Sequence, residues 1–206
     1  MPRPTKHDPD LGDARGRLLA AAIDLIRRQG FAATSVEAFC MAAGVTKGAF
    51  FHHFPDKAAL GAAVADHWAR TTGAFFAAAP YHALTDPVDR LLAYVGFRRA
   101  VIADDIAACS CLAGTLLQEI HLSHPAAARA AGAAILGHTA TLQPDCYEAL
   151  AAAGQTSPSA ESLARHCQTV IQGAFIMAKT TGDAALAREA LEHLDRYIRL
   201  LFKRLP

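Results

Sequence analysis

Apolar residues recur at helical spacing along most of the chain, and no stretch of four or more residues clearly alternates apolar with polar side chains. Within 15–29, for example, Leu19, Ala22 and Ile26 form a stripe with a period near 3.6 residues, as on one face of a helix. Gly30 follows as the expected left-handed residue after the helix end. This pattern predicts helices throughout and no sheet.

Capping residues and helix breakers place the boundaries of these helices. Thr34, with Glu37 three residues later, predicts a capping box at the start of a second helix that ends at Ala43, before Gly44. Thr46 is the expected cap of a third helix that ends before the break at 55–56. Six more helices are predicted over about 57–78, 87–103, 111–122, 125–153, 159–180 and 183–202.

Three short helices followed by six mostly longer ones predict an all-α protein with two domains. We expect a flexible N-terminal arm over 1–14, a three-helix helix-turn-helix domain over 15–61, and a six-helix bundle over 62–206. Pro144 falls inside the helix over 125–153 and is expected to kink or split it.

Composition narrows the class of protein. Of 206 residues, 52% are hydrophobic and 19% are charged, which excludes an intrinsically disordered chain. No apolar run reaches the roughly 18–20 residues of a membrane span, and no secretory signal begins the chain. Five cysteines at irregular spacing form no disulfide framework. These features predict a cytoplasmic protein with free thiols.

The segment over 34–57 carries the clearest functional pattern. Two short helices meet across the turn from Ala43 to Thr46, in which Gly44 permits a left-handed backbone, and this is the geometry of a helix-turn-helix. The second helix of such a motif enters the major groove of DNA, and Gly48 and Ala49 are small enough to let it lie close to the bases.

The same segment resembles the DNA-binding domain of TetR-type transcriptional repressors. The matching positions are Thr34, Ala43, Gly44, Val45, Thr46, Lys47, Gly48, Phe50, His53, Phe54 and Lys57. The resemblance implies an operator of double-stranded DNA, palindromic because the protein is a homodimer, and a small-molecule effector that releases it. It implies no cofactor, no metal and no enzymatic activity.

By resemblance, Thr46, His53 and Lys57 contact phosphates, Thr34 caps the second helix and touches the DNA backbone, and Lys47 faces the groove. The full set of expected DNA-binding residues is Thr34, Thr46, Lys47, Gly48, Ala49, Phe51, His52, His53 and Lys57. Phe51 departs from the family, which normally carries Tyr there, so one phenolic donor is missing.

The distribution of charged residues between the N-terminal segment and the rest of the chain agrees with this interpretation. The net charge of the whole protein is +1, but the first 57 residues hold eight Lys or Arg against six Asp or Glu. Because this excess of positive charge is so small, one DNA-binding domain is expected to bind weakly, and tight binding is expected to need two subunits on a two-fold operator.

The two C-terminal helices are expected, by resemblance, to pair with their copies in a four-helix dimer interface. The last helix has a 3-4-3 apolar seam, and the helix before it carries small residues that allow close approach. Burial of the seam within one subunit is the alternative. The expected interface residues are Val170, Ala174, Met177, Leu191, Leu194, Ile198 and Leu201.

The middle helices are then the ligand-sensing region. The run from Cys111 to Glu119 resembles a C-L-x-x-x-L-x-x-E motif in a TetR branch that responds to reactive electrophiles or small unsaturated acids. Cys111 is a candidate sensor with Lys179 as its activating cation, and a small buried thiol is the alternative. Candidate ligand or sensor residues are Trp68, Phe75, Tyr94, Phe97, Cys109, Cys111, Leu116, Phe175 and Lys179.

Three alternatives to a ligand-responsive DNA-binding protein are a metal-binding protein, an enzyme and a ligand-independent DNA-binding protein. A metal site at Cys109, Cys111, His121 and His124 fits no standard module, because one helix cannot aim all four side chains at one point. An all-α enzyme would need a nucleophile with its base, which the sequence does not display. A ligand-independent DNA-binding protein is the remaining alternative.

Overall fold

The computed structural model describes residues 13–204, apart from the side chain of Cys109. Within that range the chain forms ten α-helices, a short 3-10 turn over Pro80–Ala83 and no strand. The helices are α1 Ala14–Gln29, α2 Val36–Ala43, α3 Lys47–His53, α4 Lys57–Ala77, α5 Pro87–Ala100, α6 Ile106–Cys109, α7 Leu112–Ile120, α8 Pro125–Ala152, α9 Ala160–Thr181 and α10 Ala185–Leu201. The all-α prediction is confirmed.

Several predicted boundaries need correction. Ser35, not Thr34, caps α2, because its hydroxyl accepts the N–H of Ala38 at 3.1 Å. Gly30 has a positive φ of 92° but an extended ψ of 159°, so it is not in the left-handed helical region. The helix α6 was missed, and α8 continues through Pro144 without being split. The predicted arm lies in the undescribed residues up to 12, whereas Asp13 already caps α1.

The chain forms two compact units whose boundaries differ from a simple N- and C-terminal division. Unit 1 comprises residues up to 70 together with 112–134, and unit 2 comprises 71–111 together with 135–206. Unit 1 therefore contains α1 to α3, most of α4, α7 and the start of α8. Its fully buried side chains include Leu18, Ile26, Phe31, Phe39, Phe50, Leu60, Leu112 and Leu116.

Unit 2 is held by one apolar core that draws on α5, α8, α9 and α10. Tyr94, Leu163, Ile171 and Ile198 are among its deeply buried members. A partly buried ion pair supports it, in which Arg90 Nε of α5 donates to Asp145 Oδ1 of α8 at 2.7 Å.

The seam of α10 lies inside this core. Leu191, Leu194 and Ile198 are almost fully buried within the subunit, as is Ala174 of α9. The strongest apolar face of α10 therefore packs against α5 and α9 within the subunit, which is the alternative that the sequence left open. Val170 and Leu201 are partly buried against the same core, and of the predicted interface residues only Met177 is exposed.

Candidate nucleic-acid interface

The turn between α2 and α3 has the geometry of a helix-turn-helix. Gly44 adopts φ 63° and ψ 38°, a left-handed conformation that ends α2, and the N–H of Val45 donates to the carbonyl of Cys40 at 3.0 Å. Thr46 then caps α3, because its hydroxyl accepts the N–H of Ala49 at 3.1 Å. Both sequence predictions, the glycine turn and the Thr46 cap, are confirmed.

Buried side chains fix the orientation of these two helices. Phe39 and Cys40 of α2 and Phe50 of α3 are buried, as is Phe54 directly after α3. Burial also raises the pKa of the Cys40 thiol, which therefore stays protonated and acts as a small apolar residue. The packed inner face determines which residues of α3 are left outside.

The outer face of α3 is exposed and built from small or hydrogen-bonding residues. Thr46, Lys47, Gly48, Phe51 and His52 are exposed, and Ala49 and His53 are partly exposed. A Cβ on Gly48 would meet only the Thr46 hydroxyl at 3.7 Å, so no other group covers this point. Such a surface can approach a nucleic acid closely while hydroxyl, ammonium and imidazole groups donate to phosphates.

Lys47 is paired within this surface. Its ammonium contacts the carboxylate of Glu37 on α2, and more than half of each side chain is exposed. The hydrogen bond from Lys47, assisted by backbone and Ser35 hydrogen bonds, lowers the pKa of Glu37 to about 2. Glu37 therefore belongs to the exposed face with Lys47, a role that the predicted capping box with Thr34 did not reveal.

Two of the predicted contact residues are engaged inside the domain. Thr34 is completely buried, and its hydroxyl donates to the carbonyl of Gly30 at 2.6 Å. Thr34 therefore holds the turn between α1 and α2 instead of contributing to the exposed surface. The adjacent Ser35, which sequence analysis did not single out, is exposed there.

Lys57 also turns inward. Its ammonium donates to the carbonyl of Ala32 at 3.2 Å and lies 4.5 Å from the centre of the Phe31 ring. Burial lowers the pKa of Lys57, and the nearby charge of Glu119 opposes that shift. An ammonium has three donors, so this position leaves hydrogen-bonding capacity beyond the bond to Ala32.

Glu119 of α7 also stabilises the turn between α1 and α2. Its Oε2 accepts the N–H of Ala32 at 2.8 Å, and the edge of the His124 ring packs on Phe31 with centroids 5.5 Å apart. A side chain on Gly30 would overlap the Glu119 carboxylate. The motif residue Glu119 thus holds the segment that leads into α2.

The candidate ligand residues do not form one described cluster. Tyr94, Phe97 and Phe175 belong to the core of unit 2, and the half-exposed Phe75 stacks near Phe97 with ring centroids 5.3 Å apart. Leu116 is buried in unit 1. Trp68, also in unit 1, lies under the guanidinium of Arg27 at 5.1 Å.

The cysteines differ in burial. Cys146 and Cys167 are buried, and desolvation raises the pKa of each to about 12, so both are protonated at neutral pH. Cys111, between α6 and α7, is only partly buried against the unit 2 core, and Lys179 is exposed in the last turn of α9. The side chain of Cys109 lies outside the described part of the structure.

Across residues 13–204, apart from the side chain of Cys109, no group of three or more His, Cys, Asp and Glu side chains is placed to hold a metal ion. Asp105 is used as the cap of α6, and Asp104 pairs with Arg188. No helix among the described residues is long and apolar enough to cross a bilayer.

Comparisons with known proteins agree with this geometry. Residues 18–64 match the family described as bacterial regulatory proteins, tetR family. No curated protein matches the sequence. Many solved structures share the fold, among them a TetR family transcriptional regulator from Agrobacterium tumefaciens, at 23% identity over 89% of this chain and 96% of that one, with a TM-score of 0.78.

Two further structures are similar over most of their length. A TetR transcriptional regulator from Chloroflexus aurantiacus is 25% identical, covering 90% of this chain and 93% of that one with a TM-score of 0.75. The reduced form of E. coli NemR is 22% identical, covering 88% and 95% with a TM-score of 0.76. The matching family and the neighbours from Agrobacterium tumefaciens and Chloroflexus aurantiacus are transcriptional regulators, not enzymes.

Proposed function

We propose that this chain, which has an N-terminal domain of the tetR family and the fold of TetR-family transcriptional regulators, is a homodimeric repressor that a small molecule releases from DNA. The observation that carries the proposal is the exposed face of α3. It presents small and hydrogen-bonding residues on a packed helix-turn-helix within the stretch that matches the family. The protein acts in the cytoplasm on a palindromic operator.

The DNA-binding surface consists of Ser35, Thr46, Lys47, Gly48, Ala49, Phe51, His52 and His53, with Lys57 at its edge. Phosphate contacts come from the hydroxyl, ammonium and imidazole groups. The exposed ring of Phe51 makes an apolar contact with sugar or with a thymine methyl group, since it lacks the phenolic donor of Tyr.

The dimer forms through the outer faces of α9 and α10. Large apolar side chains remain exposed on both helices: Ile176 is 46% exposed, Met177 57%, Tyr197 38% and Leu200 70%. A Cβ on Gly173, one turn before Met177, would meet nothing within 4 Å, so a partner helix can approach there. An exposed apolar patch of this kind is typical of a protein interface.

In the proposed dimer, the effector releases the protein from DNA by favouring a spacing of the two DNA-binding domains that does not fit the operator. Two-fold half-sites are about 34–36 Å apart, so a change in that spacing lowers affinity. The chain passes between the units inside α4, at the start of α7 and inside α8. Of these, α7 connects the sensing region to the DNA-binding domain, because it begins after Cys111 and its last turn carries Glu119, which accepts the N–H of Ala32 before α2.

Cys111 is the proposed site of effector chemistry, with an electrophile or oxidant as the effector and Lys179 as the activating cation. The support is that Cys40, Cys146 and Cys167 are buried thiols with raised pKa values, whereas Cys111 is partly accessible. The similar structure of E. coli NemR is described as a reduced form, which motivates testing oxidants here.

DNA binding is tested by fluorescence anisotropy with duplexes from the region upstream of the gene and of its neighbours. We expect Gly48→Leu to weaken binding about tenfold or more, because the added side chain blocks close approach of α3 to the bases. Gly96→Leu on α5 is the matched control, since Gly96 is also an exposed helical glycine and its Cβ would meet nothing. Equal binding by both variants would refute the α3 assignment.

Effector response is tested on the same complex with N-ethylmaleimide and hydrogen peroxide. We expect both reagents to release the wild-type protein and the Cys146→Ser variant, but not the Cys111→Ser variant. Release of all three proteins would exclude Cys111 as the sensor. Failure of every reagent and metabolite to change DNA affinity would favour a ligand-independent DNA-binding protein.

A further inference from the structure

The pair between Lys47 and Glu37 joins the first residue of α3 to the first turn of α2 on the exposed face of the helix-turn-helix. Lys47 is exposed, and it carries a fixed positive charge at the N-terminus of α3. Glu37 neutralises that charge. The loss matters because the first 57 residues hold only a small excess of basic residues. The pair thus reduces the attraction for phosphates at the point where α3 approaches DNA.

We propose that Glu37 is a specificity-determining residue, which occupies Lys47 and so lowers the affinity of the protein for non-operator DNA. The proposal rests on the proposed function of the α3 face. It assigns to Glu37 a role that opposes sequence-independent binding.

The physical argument follows from the source of non-specific affinity. Binding to random DNA comes almost entirely from lysine and arginine contacts to phosphates, which release condensed counterions. Lys47 can join those contacts only by leaving Glu37, and the carboxylate is then left unpaired beside a row of negative charges. Each subunit therefore loses most of one phosphate contact on random DNA.

On the operator the balance differs. Hydrogen bonds to base edges add to the phosphate contacts and carry the sequence information. A carboxylate at the start of α2 is also able to accept from the amino group of cytosine in the major groove. Removing the charge of Glu37 therefore helps binding to random DNA more than binding to the operator.

Substitution is required to remove this charge. The pKa of Glu37 is about 2, so the carboxylate stays ionised over the pH range in which DNA binding is measured. Glu37→Gln keeps the size and a hydrogen-bonding group at an exposed position. Asp24→Asn is the matched control, because Asp24 is also an exposed acid paired with a base, Arg28 at 2.8 Å, but on α1.

The experiment measures the affinity of full-length wild type, Glu37→Gln and Asp24→Asn for a random-sequence duplex and for the upstream duplex that wild type binds. Each is measured from about 50 to 200 mM salt, the range over which phosphate contacts dominate. We expect Glu37→Gln to bind the random duplex two- to five-fold more tightly per subunit, roughly the range of an exposed ion pair. The ratio of operator to random affinity is expected to fall.

Salt dependence and a double substitution identify Lys47 as the released group. The slope of log affinity against log salt should steepen by about 0.9 for each new phosphate contact. In a Lys47→Met background, the gain from Glu37→Gln should shrink to the gain that Asp24→Asn gives. Circular dichroism confirms that each variant is folded.

Three results would overturn the assignment while leaving the proposed function in place. These are equal gains from Glu37→Gln and Asp24→Asn, equal gains on operator and random duplexes, or a gain that persists in the Lys47→Met background. A wild-type protein that binds neither duplex would instead overturn the proposed function, and this inference with it.

Discussion

At the residue scale, Gly30 shows how backbone conformation and a long-range contact meet at one position. Its φ of 92° with an extended ψ disfavours any residue with a Cβ, and a side chain there would displace the Glu119 carboxylate from Ala32. We expect Gly30→Ala to lower the free energy of unfolding by about 1–3 kcal/mol, measured by urea denaturation. The control is Gly44→Ala, which has positive φ but no clash and should cost only roughly 1–2 kcal/mol. A smaller loss for Gly30→Ala than for Gly44→Ala would contradict the role of Glu119.

His138 makes a second residue-scale prediction, which concerns pH. Burial, with a smaller effect of Arg98, lowers the pKa of His138 to about 4, and its Nε2 lies 3.0 Å from the Tyr94 hydroxyl. The unfolded state binds a proton near pH 6.5 whereas the folded state does not until near pH 4, so stability falls as pH decreases through this window. Between pH 7 and pH 5 this one group should cost about 2 kcal/mol.

The contribution of His138 is isolated by His138→Gln, which keeps a hydrogen-bonding partner for Tyr94 but does not titrate. Urea denaturation at pH 7 and pH 5 should show that wild type loses about 2 kcal/mol more than the variant. Parallel losses in the two proteins would show that His138 does not titrate as its burial implies. Other histidines and carboxylates contribute equally to both proteins and cancel in the difference.

Residue identities near α2 show where sequence analysis succeeds and fails. The turn glycine Gly44 and the cap Thr46 were predictable because both satisfy backbone requirements that lie within five residues. Thr34 was assigned to the cap because either of two adjacent hydroxyl residues can cap a helix. The choice depends on the buried bond from Thr34 to Gly30, which the local sequence does not reveal.

At the element scale, α7 acts as the support of the turn between α1 and α2. Glu119 holds the N–H of Ala32, while Lys57 holds the carbonyl of the same residue. We expect Glu119→Ala to speed hydrogen exchange of the Ala32 amide about tenfold, the effect of losing one charge-assisted hydrogen bond. Operator affinity should fall several-fold, because the turn leads directly into α2.

The control for α7 is Gln118→Ala, an exposed position on the same helix next to Glu119. In Gln118→Ala, hydrogen exchange of the Ala32 amide, measured by mass spectrometry, should be unchanged. In Glu119→Gln, that amide should exchange at an intermediate rate, because the side-chain carbonyl of Gln still accepts a hydrogen bond. Unchanged exchange at Ala32 in Glu119→Ala would mean that α7 does not stabilise the turn.

Helix boundaries were predictable where strong local signals exist. Asp86 before Pro87, Asp56 before Lys57 and Ser159 before Ala160 all cap helices as such residues do. The four-residue α6 escaped prediction because it is too short to display a periodic apolar pattern, although Asp105 caps it. The expected split of α8 at Pro144 does not occur, because one proline inside a helix of 28 residues removes a backbone donor without ending the helix.

At the scale of the whole molecule, the apolar pattern of α10 has two possible partners, the subunit's own core or a second subunit. Sequence alone does not distinguish them, because both require the same spacing of Leu191, Leu194 and Ile198. The structure buries these residues internally and leaves a different, weaker apolar face of α9 and α10 outside. Likewise, the net charge of +1 leaves each subunit few basic contacts to phosphates, so we expect tight DNA binding to need two subunits.

Dimerisation through that outer face yields the last prediction. Met177→Glu and Leu200→Glu each place a charge on the exposed face of α9 or α10, where burial against a partner would cost the desolvation of that charge. We expect wild type to sediment as a dimer at micromolar concentration and both variants to sediment as folded monomers. Operator affinity should fall roughly hundredfold or more, because one DNA-binding domain alone loses the effective concentration that the second domain supplies.

Leu136→Glu on α8 introduces the same charge at a residue that is 64% exposed and outside the proposed interface, so this variant should remain dimeric and bind the operator. Dissociation of all three variants alike, or of none, would place the dimer interface on another surface.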